Sequence, residues 1–193
     1  MSNLTVEQYR QWQNAPTEPA TSVIQAAINA IEEQVAIDTG RTFTTASTAS
    51  ARVYAAREHT STLAIHDCTT VTAVSNDGAT VPPASYQLQP VNGITVSGQV
   101  TPYTHIHLLD GALWAHRGRD AIITVTATWG WPSVPSRYTE ACKILVADLL
   151  SHKDLRNGLV GFSDMAVGVV RENRSAQRLL RQLTRFDPFG LDW

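Results

Sequence analysis

The sequence predicts an α+β fold in which a helical core, made of an N-terminal, a long central and a C-terminal helix, carries an inserted small antiparallel β region. Apolar residues recur at helical spacing before residue 40 and again after residue 136. Between them, short runs rich in Thr, Val and Ile alternate with turn pairs. The length of 193 residues suits one domain, with N-terminal helices at 1–45, the β region at 50–130, and C-terminal helices and a tail at 136–193.

The first predicted helix is short. Thr5 and Gln8 match a capping box, in which each side chain bonds the backbone N–H of the other residue. The helix is expected to continue through about Gln13, because prolines follow at 16 and 19 and proline cannot continue a helix.

A second helix is predicted over 22–39. Ser22 with Gln25 matches another capping box, and Gly40 stands where a helix commonly ends on a left-handed glycine. The apolar residues at helical spacing are Val23, Ile24, Ala27, Ile28, Ile31 and Val35. One face of this helix is therefore expected to be buried.

The middle of the chain predicts a small, mostly antiparallel sheet or sandwich. The strand-like runs are 52–55, 62–66, 71–74, 86–88, 94–96, 105–109 and 121–128. Asn76-Asp77-Gly78, Asn92-Gly93 and Asp110-Gly111 mark turns between them, and Asn-Gly is a strong hairpin signal.

The last third of the chain predicts two helices. Pro132 and Pro135 interrupt the strand pattern, and a long apolar helix follows over about 136–156, with Ser136 as its cap. Residues 159–170 contain glycine and are apolar, which favours a loop or hairpin. A final helix is expected over about 175–185.

Charge is scarce and unevenly distributed. Charged residues make up 17% of the chain, below the usual quarter, so neighbouring molecules or abundant Thr and Ser are expected to cover some surface. The net charge of -2 gives no reason to expect broad attraction to nucleic acid. Residues 1–50 hold five acids against two arginines, whereas 171–185 hold five arginines against one acid. A chain polarised in this way could stack end to end with copies of itself or with partners.

The two cysteines and the hydropathy pattern indicate a cytoplasmic protein without a membrane-spanning segment. Cys68 and Cys142 lie in a predicted strand and a predicted helix, without metal or redox spacing, so reduced and packed thiols are expected. No signal peptide is recognised, and no stretch approaches the roughly 18 apolar residues that span a bilayer.

Arginines near the C-terminus form the sharpest candidate contact surface. Arg171, Arg174, Arg178, Arg181 and Arg185 are spaced 3, 4, 3 and 4 apart. If the whole stretch is helical, they form one continuous stripe opposite Ala176, Leu179, Leu180 and Leu183. Guanidinium groups suit contact with the carboxylates of a partner protein or the phosphates of DNA. An ordinary solvated helix face is the alternative, and we weight it about equally.

Aromatic residues divide into two groups. Trp114, Trp129, Trp131 and Tyr138 are expected in the core by default, although an interface is also possible for them. Phe186, Phe189 and Trp193 lie at a terminus, where they are harder to bury within one chain. We therefore group these three with the arginines as candidate contact residues.

His105 and His107 are the best candidate metal ligands. Two positions apart on a strand, both imidazoles would point to one face, with Asp110 and His116 nearby in sequence. Asp110 lies in an Asp-Gly turn, and solvent-facing strand residues opposite Ile106 are the favoured alternative. Nucleophile, phosphate-loop and dinucleotide motifs are absent, so no enzyme activity, cofactor or metal is expected, with a small metal-dependent enzyme as an alternative.

The order of several motifs resembles head–tail connector (head-completion or adaptor) proteins of long-tailed bacteriophages and related gene-transfer agents. Each motif alone is weak, and the resemblance rests on their order along most of the chain. The motifs are a helix over 31–41 ending in Thr39-Gly40-Arg41, a strand over 123–129 running into Trp129-Gly130-Trp131, then Val134-Pro135 before an apolar helix, and finally Leu179-Leu180-Arg181. The β region is longer than the family leads us to expect.

The resemblance implies a structural virion protein of the neck, assembled in the host cytoplasm. Its members form a homo-oligomeric ring, typically a dodecamer, between the portal protein and the next neck or tail component. Such a ring extends the channel for passing double-stranded DNA, without sequence specificity, and offers a docking platform. The family has no catalytic residues to transfer to this chain, and a DNA-binding module based on the arginines is a further alternative.

Overall fold

A computed structural model describes the backbone of residues 3–14, 19–44, 46–91, 93, 100–115, 120–155 and 162–184, and their side chains except at 152–155 and 162–165. The chain divides into two compact units. Residues 1–41 and 134–193 form a helical unit, and residues 42–133 form a β unit. The prediction of a single connector domain is not tested by this division.

The helical unit contains five helices within the described residues. They are α1 (Val6–Gln13), α2 (Thr21–Thr39), α3 (Ser136–Leu155), α4 (Phe162–Glu172) and α5 (Arg174–Leu180). The predicted capping box of α1 is confirmed, because Gln8 N–H donates to Thr5 Oγ1 at 3.2 Å and Thr5 N–H donates to Gln8 Oε1 at 3.0 Å. Gly40 ends α2 in the left-handed conformation, with φ of 63°, also as predicted.

The predicted start of α2 is wrong by one residue. The helix begins at Thr21, and Ala20 precedes it without a side-chain cap. The N–H groups of Val23 and Ile24 instead donate to the carbonyl of Ala20, at 3.0 and 3.2 Å. Ser22 already lies inside the first turn, so it cannot act as a cap from a non-helical conformation.

The helices of this unit bury a continuous apolar surface. α2 contacts α3 and α4, and α3 contacts α4 and α5. The fully or almost fully buried members include Ile24, Ile28, Ile31, Val35, Tyr138, Ala141, Cys142, Leu145, Leu149, Ala166, Val170 and Leu180. The chain before α1 is attached to α2, because Glu32 Oε1 accepts from Asn3 N–H at 2.9 Å and from Leu4 N–H at 2.8 Å.

The loop or hairpin predicted over 159–170 is a helix where the structure describes it. α4 covers 162–172, and residues 159–161 lie outside the described residues. Ala166, Val169 and Val170 follow helical spacing and are buried. Gly168 favoured a break, but glycine costs a helix only about 1 kcal/mol relative to alanine, which packing readily offsets.

Within its described residues, the β unit forms one antiparallel sheet of six strands, larger than the small insert that the sequence predicted. The strands are β1 (Ser50–Ala56), β2 (Thr62–Asn76), β3 (Ala79–Thr80), β4 (Tyr86–Gln89), β5 (Tyr103–Leu108) and β6 (Ala121–Trp129). Their order is β1-β6-β2-β5-β4, and β3 pairs with β2. The runs predicted separately at 62–66 and 71–74 are parts of the one 15-residue strand β2.

Strand β2 joins the two sides of the sheet. Its first half pairs with β5 and its second half with β6, and the register shifts between Cys68 and Thr70 and again between Val71 and Ala73. Such irregularities bend a strand and increase its twist. Ile65, Ile106 and Ile123, from three neighbouring strands, are fully buried in the resulting core.

The turns of the β unit follow the sequence where they are described. Asp77 and Gly78 have φ of 47° and 83°, and Asp110 and Gly111 have φ of 55° and 72°, so both predicted turns are confirmed. The hairpin predicted around Asn92-Gly93 includes Asn92 and residues 94–96, which lie outside the described residues.

The segment Trp129-Gly130-Trp131 is the strand end that the sequence predicted, and α3 begins at Ser136. Gly130 has φ of 103°, a conformation that residues with a side chain rarely adopt. The Trp129 indole N–H donates to the carbonyl of Ser50 at 2.9 Å. The N–H of Gly130 donates to the carbonyl of Asp67 at 2.7 Å, so this strand end is fixed to β1 and β2.

Candidate interaction surface

Asn173 separates α4 from α5. Its backbone has φ of -76° and ψ of 95°, and its side-chain oxygen accepts from Ala176 N–H at 3.0 Å as the cap of α5. Its side-chain amide donates to Asp148 Oδ2 on α3 at 2.9 Å. Asn173 therefore ends α4, caps α5 and attaches the corner between these two helices to α3.

The condition for a continuous arginine stripe over 171–185, a single helix through the whole stretch, is not met. Arg171 lies in the last turn of α4, Arg174 and Arg178 lie in α5, and Arg181 is the residue that ends it. Asparagine competes with helical hydrogen bonding through its own side chain, which favours a cap at this point. Asn173 was the signal in the sequence that could have revealed the break.

The four described arginines are nevertheless exposed together around this corner, and we call them the arginine surface: Arg171, Arg174, Arg178 and Arg181. Of the four residues predicted on the other side, Ala176, Leu180 and Leu183 are buried, whereas Leu179 is only half-buried. Within the described part of the chain, none of these four guanidinium groups forms an ion pair with a carboxylate.

A second contact fixes the corner from the side of α5. The side-chain amide of Gln177 donates to the carbonyls of Arg171 and Val170, the latter at 3.4 Å, at the end of α4. The backbone under the arginine surface is thus held by the side chains of Asn173 and Gln177. Fixed backbone positions reduce the ordering cost when an anion binds.

The remaining predicted contact residues cannot be placed. Arg185, Phe186, Phe189 and Trp193 lie outside the described residues. Their proposed contact role stays a prediction from the sequence.

His105 and His107 lie on one face of β5, opposite the buried Ile106 and Leu108, as the strand pattern predicted. Each Nδ1 is within hydrogen-bond distance of a threonine hydroxyl, His107 with Thr62 at 2.8 Å and His105 with Thr104 at 2.9 Å. Asp110 lies in its left-handed turn, and His116 is outside the described residues. Among the described residues, no group of three or more His, Cys, Asp or Glu could hold a metal ion.

The central aromatic residues and both thiols are core residues. Trp114, Trp129, Trp131 and Tyr138 are at most 4% exposed. Cys68 and Cys142 are free and buried, as predicted. Burial, with a smaller contribution from the negative charge of Asp67, raises the pKa of the Cys68 thiol to about 12, and burial also raises the pKa of Cys142. Both thiols are therefore protonated and unreactive near neutral pH.

One cluster at the margin of the β-unit core, where exposed Arg52 and His66 meet buried Trp129 and Tyr54, was missed by sequence reasoning. The Arg52 guanidinium lies 4.4 Å from the centre of the Trp129 ring, and Tyr54 Oη lies 2.8 Å from His66 Nδ1. Arg52 and Tyr54 share the parity of β1, which could have placed them on one face. The pairing of β1 with β6 that brings Trp129 beside them is not visible in the sequence.

Solved structures similar to this chain come from gene transfer agent (GTA) particles. A chain in the neck of an empty GTA particle, computed with C6 symmetry, is 16% identical over 98% of this chain and 93% of that chain, with a TM-score of 0.52. A chain in the neck of a native GTA particle, computed with C12 symmetry, is 19% identical over 98% and 92%, with a TM-score of 0.47. A chain in the virion of a native GTA particle is 20% identical over 89% and 79%, with a TM-score of 0.42.

The first of these structures shows that this fold occurs in a GTA neck. No family model matches the chain, and no curated protein matches it in sequence. Across the described helices, none is both long and apolar enough to cross a bilayer.

Proposed function

We propose that this chain is a structural, non-enzymatic subunit of the neck of a phage-like particle. The observation that carries the proposal is the likeness to a GTA neck chain, which extends over 98% of this chain. In the proposal, copies of the chain form a ring, typically a dodecamer, between the portal and the tail. The ring extends the DNA channel and provides a docking platform for the next neck or tail component.

The low charge of the chain supports a ring subunit. Only 17% of the residues are charged, and interfaces between permanent partners are depleted of charge at their centres. In a ring, each copy presents two different surfaces to its two neighbours, so much of its surface is covered. We further propose that both units belong to one connector domain, with the helical unit as its core.

The arginine surface is proposed to contact the double-stranded DNA that passes through the ring. Its support is the group of exposed guanidinium groups without carboxylate partners among the described residues. Contacts with phosphates carry no sequence information by themselves, which suits a channel through which any DNA must pass. An acidic surface of the portal or of the next component is the other outcome that experiment can distinguish.

Ring formation is tested by electron microscopy and native mass spectrometry of the purified chain, alone and with the portal protein of the same particle. We expect the chain to form closed rings. If the chain alone does not oligomerise, we expect rings to form when the portal protein is added as a template. A chain that neither forms rings nor binds its portal would contradict the proposal.

The role of the arginine surface is tested by charge reversal. The unchanged protein should bind duplex DNA with an affinity that falls steeply as salt is raised. The double substitution Arg174→Glu with Arg178→Glu should abolish this binding. The matched control, Arg57→Glu with Arg137→Glu, makes the same charge change at two exposed arginines elsewhere and should leave binding nearly unchanged. Loss of portal binding rather than DNA binding would assign the surface to an acidic protein partner.

A further inference from the structure

The first described residues form an arm that lies on α2 and α3. We call residues 3–13, which include α1, the N-terminal arm. Leu4 is fully buried and Tyr9 is 4% exposed, so the arm is attached by apolar burial as well as by hydrogen bonds. A helix of eight residues, the length of α1, is marginal in water by itself. The arm therefore needs a docking surface to remain helical.

Carboxylates on two different helices hold the two ends of the arm. On α2, Glu32 Oε1 accepts from the backbone N–H groups of Asn3 and Leu4, at 2.9 and 2.8 Å. On α3, Glu140 Oε1 accepts from the indole N–H of Trp12 at 3.2 Å. Both acceptors are distant from the arm in sequence. The same two helices of a second copy would therefore offer the arm the same contacts.

The end of the arm at Trp12 is accessible to water. Trp12 is 39% exposed, and the side chain of Glu140 is 44% exposed. A hydrogen bond exchanged for bonds to water costs little net free energy, so this end can separate without disturbing the core. The arm is thus able to leave its docking surface while the rest of the helical unit stays folded.

The linker from the arm to α2 consists of the seven residues 14–20, of which 15–18 lie outside the described residues. The sequence places prolines at 16 and 19, and proline restricts its own backbone and disfavours a helical conformation in the residue before it. Seven extended residues span at most about 23 to 25 Å. That is more than twice the usual distance of about 8 to 10 Å between packed helices, so the linker can reach an adjoining copy.

We propose that the N-terminal arm is exchanged between neighbouring copies, so that residues 3–13 of each copy dock on α2 and α3 of the next copy. The exchange rests on the ring proposed above. The occupant of each docking surface is the segment that fills it within one chain, and Glu32 and Glu140 accept the same hydrogen bonds. Each copy donates one arm and receives another. The contact is therefore heterologous, as a closed cyclic ring requires.

Exchange is inexpensive because the arm makes the same contacts in both arrangements. The difference in free energy then comes from the linker and from bringing two copies together. Within a ring, the docking surface of the next copy is held close to the linker, which gives it a high effective concentration. The arms then connect copies that would otherwise depend only on the surfaces they bury.

Cross-linking distinguishes an exchanged arm from an arm docked on its own chain. Asn3→Cys keeps the backbone N–H that Glu32 accepts, and Glu33→Cys places a thiol on the exposed residue next to Glu32. Rings assembled from a mixture of the two single variants should give linked dimers with a short bis-maleimide, whereas rings of either variant alone should not. Rings of the double variant should give a ladder of linked chains on a denaturing gel. The natural thiols are buried and should not react.

The double variant also gives the result that would overturn the exchange. Rings in which every link lies within one chain would show that each arm stays on its own copy, and would leave the proposed ring intact. A chain that forms no ring, alone or with its portal, would overturn the ring and the exchange together.

The carboxylate of Glu32 provides a second test. Glu32→Gln replaces a charged acceptor by a weaker neutral one, so an exchanged arm would hold the next copy less tightly. The protein concentration at which rings dissociate should rise about tenfold. Glu33→Gln is the matched control, because it makes the same change at the adjacent exposed residue and should have little effect. Circular dichroism checks that both variants are folded, and rings of equal stability would contradict the exchange.

Discussion

Trp131 donates its indole N–H to the carboxylate Oδ2 of Asp67 at 3.0 Å, and both side chains are buried. Trp131 follows the last strand of the β unit, and Asp67 lies in the middle of β2. The ring of Trp131 also packs against Phe43, with ring centres 5.4 Å apart. This bond and the neighbouring bond from Gly130 N–H to the Asp67 carbonyl fix the exit of the chain from the sheet.

Removing the donor should therefore weaken the β unit. Trp131→Phe leaves an aromatic ring but deprives a buried carboxylate of one donor, and we expect the free energy of unfolding to fall by about 1 to 3 kcal/mol. Urea denaturation measures it. A double-mutant cycle with Asp67→Ala, which removes the acceptor, isolates the pair from the loss of ring volume. Additive effects of the two substitutions would show that the bond does not stabilise the fold.

Glycine is required at position 130 but not at position 168. Gly130→Ala should destabilise the protein by about 1 to 3 kcal/mol, because φ of 103° is strained for a residue with a side chain. Gly168→Ala is the contrasting substitution, since a Cβ there, in the middle of α4, meets no atom of the described side chains within 4 Å. It should stabilise the helix by up to about 1 kcal/mol. Thermal melting of both variants compares them, and equal effects would contradict the assignment.

The sequence predicted helix ends and tight turns well where neighbouring residues determine them. Thr5 with Gln8, Gly40 and the Asp-Gly turns act through neighbours in sequence, so the sequence alone predicted them. The helix at 162–172 was missed because burial against α2 and α3 outweighs the local effect of Gly168. The continuity of β2 was missed for the same kind of reason, since β5 and β6 each support one half of the strand.

The sequence predicted which arginines are exposed at the candidate site, but not that the helix beneath them is broken. The exposure of the arginines and the burial of Leu180 follow from helical periodicity. The bond from Asn173 attaches the corner to Asp148, which is 25 residues earlier in the chain, and no local pattern predicts that partner. The position of β1 beside β6 could not be predicted either, because strand order is a property of the whole sheet.

Alkaline pH should weaken the fold through its buried thiols. The pKa of Cys68 is raised from 9.0 to about 12 in the folded state, so the folded protein retains a proton that the unfolded chain loses. The stabilising contribution is complete below pH 9 and is lost as pH rises toward about 12. Urea midpoints measured across that window should fall, and Cys68→Ala should reduce the slope. An alkylating reagent at pH 8 should label neither cysteine until the protein unfolds, and rapid labelling of the folded protein would contradict their burial.

Asn173 should control both the stability and the geometry of the arginine surface. Asn173→Ala removes the cap of α5 and the bond to Asp148, and caps of this kind contribute about 1 kcal/mol. We expect a loss of about 1 to 2 kcal/mol in the free energy of unfolding, since two bonds disappear. Ser175→Ala is the matched control, because Ser175 is exposed in the first turn of α5, and its effect should be within about 0.5 kcal/mol.

The Asn173→Ala variant also tests whether the arginine surface binds an anion as one fixed arrangement or as four independent charges. If the arginine surface binds its anion through a fixed arrangement, Asn173→Ala should weaken binding to duplex DNA severalfold at a salt concentration where Ser175→Ala has no effect. The dependence of binding on salt should keep its slope, because the number of arginines is unchanged. Unchanged affinity in the folded Asn173→Ala protein would mean that the charges act singly, and that the corner between α4 and α5 has only a structural role.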